Sequence, residues 1–191
     1  MVSLDTMKKM ENAVTQIRDS VKYDGLTRVL SRSHFLDLLR NCKDDGYLLI
    51  VDADKFKLVN DTHGHAAGDD ALVQIANGIE WSAGSDAMVG RLGGEEFAVF
   101  LPNATRAVAE DRAEAIRSRV SRYPVIFSGK EIDLSVSIGG VKRVAGEPLR
   151  EALTPADQCL YAAKDKGRNR VIFAEPGLPA KHPNGHLRIV E

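Results

Sequence analysis

The sequence predicts an α+β fold: a central, mostly antiparallel sheet flanked by helices. Three observations carry that reading. Residues 47–51 form an unbroken apolar run, Tyr-Leu-Leu-Ile-Val, as expected of a strand buried on both faces. Residues 87–101 hold two apolar runs joined through Gly93-Gly94, which reads as a tight hairpin. Residues 105–122 and 154–166 read as amphipathic helices interleaved with strands, and mixed runs of this kind pack helices on a sheet.

The elements follow in order. Met7, Met10, Val14, Ile17 and Val21 recur at spacings of three and four, a heptad seam predicting a helical stalk over residues 1–22. Asp24-Gly25-Leu26-Thr27 is a turn and cap signal. A helix over 31–39 follows, with Phe35, Leu38 and Leu39 inward. The buried strand ends on Asp52-Ala53-Asp54. Acids at such an edge are costly unless paired or metal-bound, so metal binding is one option there. Residues 55–65 read as a helical turn and a loop. Gly68-Asp69-Asp70 then opens a helix over 71–81, with Asp69 or Asp70 as cap. His63 and His65 leave a metal role and a solvated role open.

After the hairpin come the helix at 105–122, a strand at 125–127, a turn at 128–130 and a strand over 132–138 that continues to 144. Gly139-Gly140 lacks following acids and reads as structural. Thr154-Pro155-Ala156-Asp157 reads as a helix start with Pro at its first position, and Gly167 as the stop. Lys164, Lys166, Arg168 and Arg170 cluster at that end. They suit either the helix dipole or a phosphate clamp. A last strand spans 171–173, and the Pro- and Gly-rich residues 175–191 read as a flexible tail.

Composition narrows the classes. At 191 residues the chain accommodates one domain with extensions, and its mean hydropathy is −0.21. Lys+Arg 26 against Asp+Glu 27 leaves no global field, which excludes a protein that coats nucleic acid. Cys42 and Cys159 show neither metal nor redox spacing. No apolar run reaches a membrane span, and the charged N-terminal stretch does not read as a signal peptide; the expectation is a cytoplasmic protein without a membrane segment. The hairpin carries Glu95 and Glu96 at the start of its returning strand. Neighbours on a strand point to opposite faces, so one is expected to face a site and the other to face away. Alone, this hairpin reads first as an ordinary turn with solvated glutamates, since Gly-Gly turns are common.

Taken together, these motifs resemble those of a GGDEF-domain diguanylate cyclase. Asp24-Gly25-Leu26-Thr27 matches the entry motif. Val51-Asp52-Ala53-Asp54-Lys55-Phe56-Lys57-Leu58-Val59-Asn60-Asp61, with Gly64-His65 and Gly68-Asp69, matches the nucleotide-site motif. Arg91-Leu92-Gly93-Gly94-Glu95-Glu96-Phe97 is the signature in its form with Glu for Asp. Ser137-Ile138-Gly139 and the stretch from Ala156-Asp157 through Tyr161 to Gly167-Arg168-Asn169 complete a set covering residues 23–174.

The resemblance implies a palm-like sheet shared with nucleotidyl cyclases and condensation of two GTP into cyclic di-GMP with release of two pyrophosphates. It implies Asp52, Glu95 and Glu96 as catalytic residues, with Glu95 the site-facing one and Glu96 on the other face. Mg²⁺, with Mn²⁺ as alternative, is expected on Asp52, the Ala53 carbonyl and Glu95, since hard cations take oxygen ligands. Asn60 and Asp69 are expected to read guanine. The amides near Phe56 and Lys57, with Lys57, Lys164 and Arg168, are expected to hold phosphate. One GTP per domain implies a homodimer, formed through the catalytic domains and the N-terminal helix and driven by an upstream sensor. A catalytically silent GTP-binding module that regulates a partner is the competing reading, opposed by the retained acids and bases.

Two departures stand out. The family's inhibitory Arg-x-x-Asp aligns with Gly84 and Ala87, and no arginine occurs between Arg40 and Arg91, so weak feedback by product is expected. Arg28, Ser31 and Ser33 replace the usual Gly, Asn and Arg of the entry loop.

Overall fold

In the computed structural model, which describes residues 22–175, the fold is built around strand β2 (Gly46–Ala53). Leu48, Leu49, Ile50 and Val51 are all fully buried, each contributing roughly 1.5–3 kcal/mol. Both faces of β2 are covered, which is why its sequence does not alternate. Its neighbours are β4 (Glu96–Pro102) and β7 (Val136–Arg143), both antiparallel to it. β3 (Met88–Gly93) pairs antiparallel with β4. β1 (Leu30–Ser31) and β8 (Val171–Phe173) close the edges in parallel, giving the order β1-β3-β4-β2-β7-β8. β5 (Val125–Phe127) and β6 (Lys130–Ile132) form a separate hairpin.

Among the described residues, helices cover both faces of the sheet. α3 (His65–Ala83) and α4 (Arg106–Arg122) bury Ile75, Ile79, Ile116 and Val120 against one face, with Leu49, Val51 and Ala53. α1 (Arg32–Asn41) and α5 (Arg150–Asp165) bury Phe35, Leu39, Leu153 and Leu160 against the other, with Leu48 and Ile50. The short α2 (Phe56–His63) joins the end of β2 to α3. Thr105 caps α4 by accepting from the Val108 amide, and Ser31 caps α1 through His34.

Three local expectations are corrected. α5 starts at Arg150, one turn before the predicted Thr154-Pro155 start, so Pro155 lies inside the helix. The carbonyl whose partner Pro155 removes belongs to exposed Glu151, where water can replace the lost bond. α3 starts at His65 behind Gly64, so Asp69 and Asp70 sit past its first turn and cap nothing. The predicted strand over 132–138 is broken between β6 and β7. Arg143, within an apolar strand, is 2% exposed and donates to the carbonyls of Leu39, Cys42 and Asp44, satisfying the end of α1. The heptad seam and residues 176–191 of the tail lie outside the described residues.

Candidate active site

Asp52 follows Leu48 and Ile50 on β2, so it emerges on the α5 side of the sheet at the strand's end. It is 5% exposed, and Lys164 in the last turn of α5 meets it at 2.9 Å. Gly139 makes that reach possible. A Cβ there would run into the backbone of Ala156 and Leu160, so the glycine lets α5 lie directly on β7, as the structural reading of Gly139-Gly140 expected. Across the sheet, Asp52 is in register with Glu96 on β4.

That register corrects the expected division of labour in the hairpin. Directly opposed residues on paired strands share a face. Glu96 therefore stands beside Asp52 rather than facing away. Glu95 precedes β4, at the turn where Gly93 and Gly94 take φ of 141° and 53°. Strict alternation does not govern it there. Its carbonyl accepts from the Ala53 amide at 3.2 Å, and its carboxylate acts on both Asp52 and Glu96. The three acids are thus neighbours.

Their electrostatics record the crowding. Burial pushes the Asp52 carboxyl up to about 6, with Glu95 and Asp54 adding to the rise and Lys164 opposing it. Burial and then the Asp52 charge push Glu96 up to about 7, against Lys164. Buried Asp157 on α5 contributes to the same rise. One lysine faces an excess of negative charge, the condition a divalent cation relieves. Oxygen-only donors at Asp52, Glu95 and the Ala53 carbonyl fit Mg²⁺ or Mn²⁺ in kind. Among the described residues no three His, Cys, Asp or Glu side chains converge into a ready-made cage. His63 and His65 end α2 and start α3 without joining one.

The expected substrate residues lie on α2, on α3 and at the end of α5. Lys55, in a left-handed conformation with φ 55°, turns the chain from β2 into α2. The Phe56 and Lys57 amides open α2, ahead of the first intrahelical donors, Leu58 and Val59. Phe56 is buried and Lys57 exposed. Asn60 lies against Gly68 of α3, where a Cβ would collide with its side-chain oxygen; Asp69 is the next residue and is exposed. Lys164 and Arg168 line a cleft of about 250 Å³ with Tyr161 and Asp165.

Two supports were not legible as such in the sequence. Arg91 donates through Nε and one terminal nitrogen to the Gly94 carbonyl, at 3.0 and 2.7 Å, and through the other to Asp24 at 3.0 Å. Burial raises Asp24, but bonds from the Thr27 amide and hydroxyl and from Arg91 outweigh it and hold the carboxyl below its usual range. The entry turn thereby braces the hairpin. Asp54, open to a metal role in the sequence, is instead occupied by the hydroxyls of Ser135 and Ser137, each at 2.7 Å, and by the Asn169 amide at 3.0 Å. At the turn after α3, Arg112 of α4 reaches the Ala83 carbonyl and pairs with Asp86 at 2.7 Å.

Comparison with known proteins agrees with this geometry. The family model for the diguanylate cyclase GGDEF domain matches residues 21–170. Diguanylate cyclase A of Treponema denticola is 32% identical over 93% of this chain and 49% of its own length. Diguanylate cyclase DgcM of Escherichia coli is 35% identical over 83% and 40%. The chain spans about half or less of these relatives. The coiled coil and GGDEF domain of DgcB from Caulobacter crescentus, solved with c-di-GMP, superposes with a TM-score of 0.81 at 31% identity, covering 88% of this chain and 93% of that one. Diguanylate cyclase SiaD of Pseudomonas aeruginosa, solved with its activator SiaC, gives 0.78 at 30% identity, covering 88% and 67%. With the hairpin, the acid corner and the basic end of α5 in place, the chain belongs to the GGDEF-domain family of diguanylate cyclases.

Proposed function

We propose that this domain condenses two GTP into cyclic di-GMP: in each step one ribose 3′-hydroxyl gives up its proton and attacks the other nucleotide's α-phosphorus, breaking the bond to the β-phosphate and releasing pyrophosphate. The observation that carries the reading is the acid corner itself: Asp52 and Glu96 in register, Glu95 beside them, and Lys164 2.9 Å from Asp52. An in-line phosphoryl displacement calls for this combination of oxygen donors and fixed positive charge. Asp52, the Ala53 carbonyl and Glu95 hold the divalent cation, which when bound neutralises phosphate charge and lowers the hydroxyl's pKa. Lys164 and Arg168 orient the phosphates, together with the first amides of α2 and the Lys57 side chain. Asn60 contacts the guanine edge through its amide and Asp69 accepts from guanine N1 and N2, an arrangement of donors that adenine does not offer. Glu96, on the same face as Asp52, adds a further carboxylate to the corner.

One domain binds one GTP, so the reaction needs two domains face to face, which turns a bimolecular encounter into a positioned one. The heptad seam at 7–21 is the proposed dimerising element, passing on the signal of a sensor outside this chain. Among the described residues no helix is long and apolar enough to cross a membrane. Gly84 and Ala87 offer no arginine for feedback inhibition, so product titrated to micromolar levels should leave the initial rate unchanged. Submicromolar, non-competitive inhibition would contradict that expectation.

The test is direct. Purified protein with GTP and Mg²⁺ should yield cyclic di-GMP, and Asp52→Asn and Glu95→Gln should each abolish it. Persistence in both would refute the metal assignment. GTP binding without product would favour the silent module.

A further inference from the structure

The turn after α5 is conformationally demanding. Gly167, with φ 110°, ends the helix as its amide and the Arg168 amide return to the Lys164 and Ala163 carbonyls. The next two residues, Arg168 and Asn169, are also left-handed, at φ 64° and 44°. Three successive residues in this region, two of them bearing a Cβ, are not favoured by the local chain. Something outside the turn has to hold it.

Two anchors converge on Asn169. Asp54, at the end of β2, accepts its amide at 3.0 Å and is itself fixed by Ser135 and Ser137. Arg117, on α4, donates to its Oδ1 at 2.7 Å. Arg117 is aimed by Glu114 one turn earlier, through a bidentate fork at 2.5–3.0 Å. Asp54 directly follows β2, two residues past Asp52. That strand end therefore fixes both the acid that pairs with Lys164 and the turn that carries Arg168.

We propose that Arg117, aimed by Glu114, and Asp54 are positioning residues: they clamp Asn169 and so hold Arg168 at the spacing from Lys164 that suits the phosphates of GTP. This rests on the reading of Lys164 and Arg168 as phosphate ligands. Arg117 touches no substrate. It acts through Asn169, and its contribution depends on Arg168 being present.

A double-mutant cycle in the full chain tests it, reading the Kd of a non-hydrolysable GTP analogue with Mg²⁺, with thermal melting alongside. Arg168→Ala should weaken binding about tenfold. Arg117→Ala should weaken it about fivefold in the wild-type background and less than twofold on top of Arg168→Ala. Arg117→Lys, which keeps a charged donor but not the planar fork, should recover part of the loss. Glu114→Gln, on an exposed side chain, should reproduce the loss in milder form with an unchanged melting temperature. Equal losses from Arg117→Ala in both backgrounds would reduce Arg117 to a general structural role and overturn the proposal. Tenfold weakening by Arg168→Ala with none by Arg117→Ala or Glu114→Gln would also overturn it, leaving the phosphate reading intact. No effect of Arg168→Ala would remove the phosphate reading and the proposal together.

Discussion

Glu96 and Asp52 face each other across β4 and β2, and burial keeps both carboxyls protonated to unusually high pH. Their ordinary values are 3.8 for Asp52 and 4.5 for Glu96; in the fold they rise to about 6 and about 7. The native state therefore binds more protons than the unfolded chain between these limits. Their contribution to stability is full below about pH 4 and is lost as pH rises through 7. In protein stripped of divalent cations, Glu96→Gln should raise stability at pH 8 by on the order of 1–2 kcal/mol, allowing for solvent screening, and the difference should vanish near pH 4. Melting curves at both values check this; an equal difference at both would refute the assignment of the proton. The sequence made the two glutamates conspicuous but mis-sorted them. Alternation holds only within a paired strand, and Glu95 precedes that strand. Asp54 was ambiguous for a different reason. Its partners, Ser135, Ser137 and Asn169, lie 81 to 115 residues away, and no local pattern announces them.

At the scale of elements, α2 and α3 meet through Gly68. A Cβ there would meet the Asn60 side-chain oxygen and approach the Phe56 ring. Asn60 is a movable side chain, so Gly68→Ala should displace it rather than unfold the helix. Alanine is worth about 1 kcal/mol over glycine within a helix, which offsets the crowding. The melting temperature should stay within a few degrees, while KM for GTP rises about tenfold. An unchanged KM would argue against Asn60 as a guanine contact. The hairpin, β2 and α4 were legible because each signals itself locally, by Gly-Gly, an apolar run and a capped amphipathic period. The ends of α3 and α5 were not. Asp69-Asp70 and Thr154-Pro155 are strong start signals, yet packing of the preceding turns extends both helices past them. In α5, Ala152 and Leu153 are buried in the core ahead of Pro155, and that burial outweighs one lost hydrogen bond.

For the whole molecule, the two layers of helices leave one end of the sheet to the acid corner, α2 and the end of α5. The braces reach it from separate parts of the chain: Asp24 through Arg91, and Arg117 through Asn169. Under the proposed function, such an end supplies one half of a two-nucleotide reaction. Deleting residues 1–21 should leave a domain that still folds, while its specific activity falls steeply below micromolar protein, as expected when two halves must find each other by diffusion. Activity independent of dilution would remove the seam from the account.

The activity proposed for the corner formed by Asp52, Glu95 and Glu96 beside Lys164 is synthesis of cyclic di-GMP. The measurement that tests it most directly is product analysis of the purified chain incubated with GTP and Mg²⁺, beside Asp52→Asn. Cyclic di-GMP from the wild type and none from the variant is the predicted result; no product from the wild type at micromolar protein, with GTP bound, would contradict it.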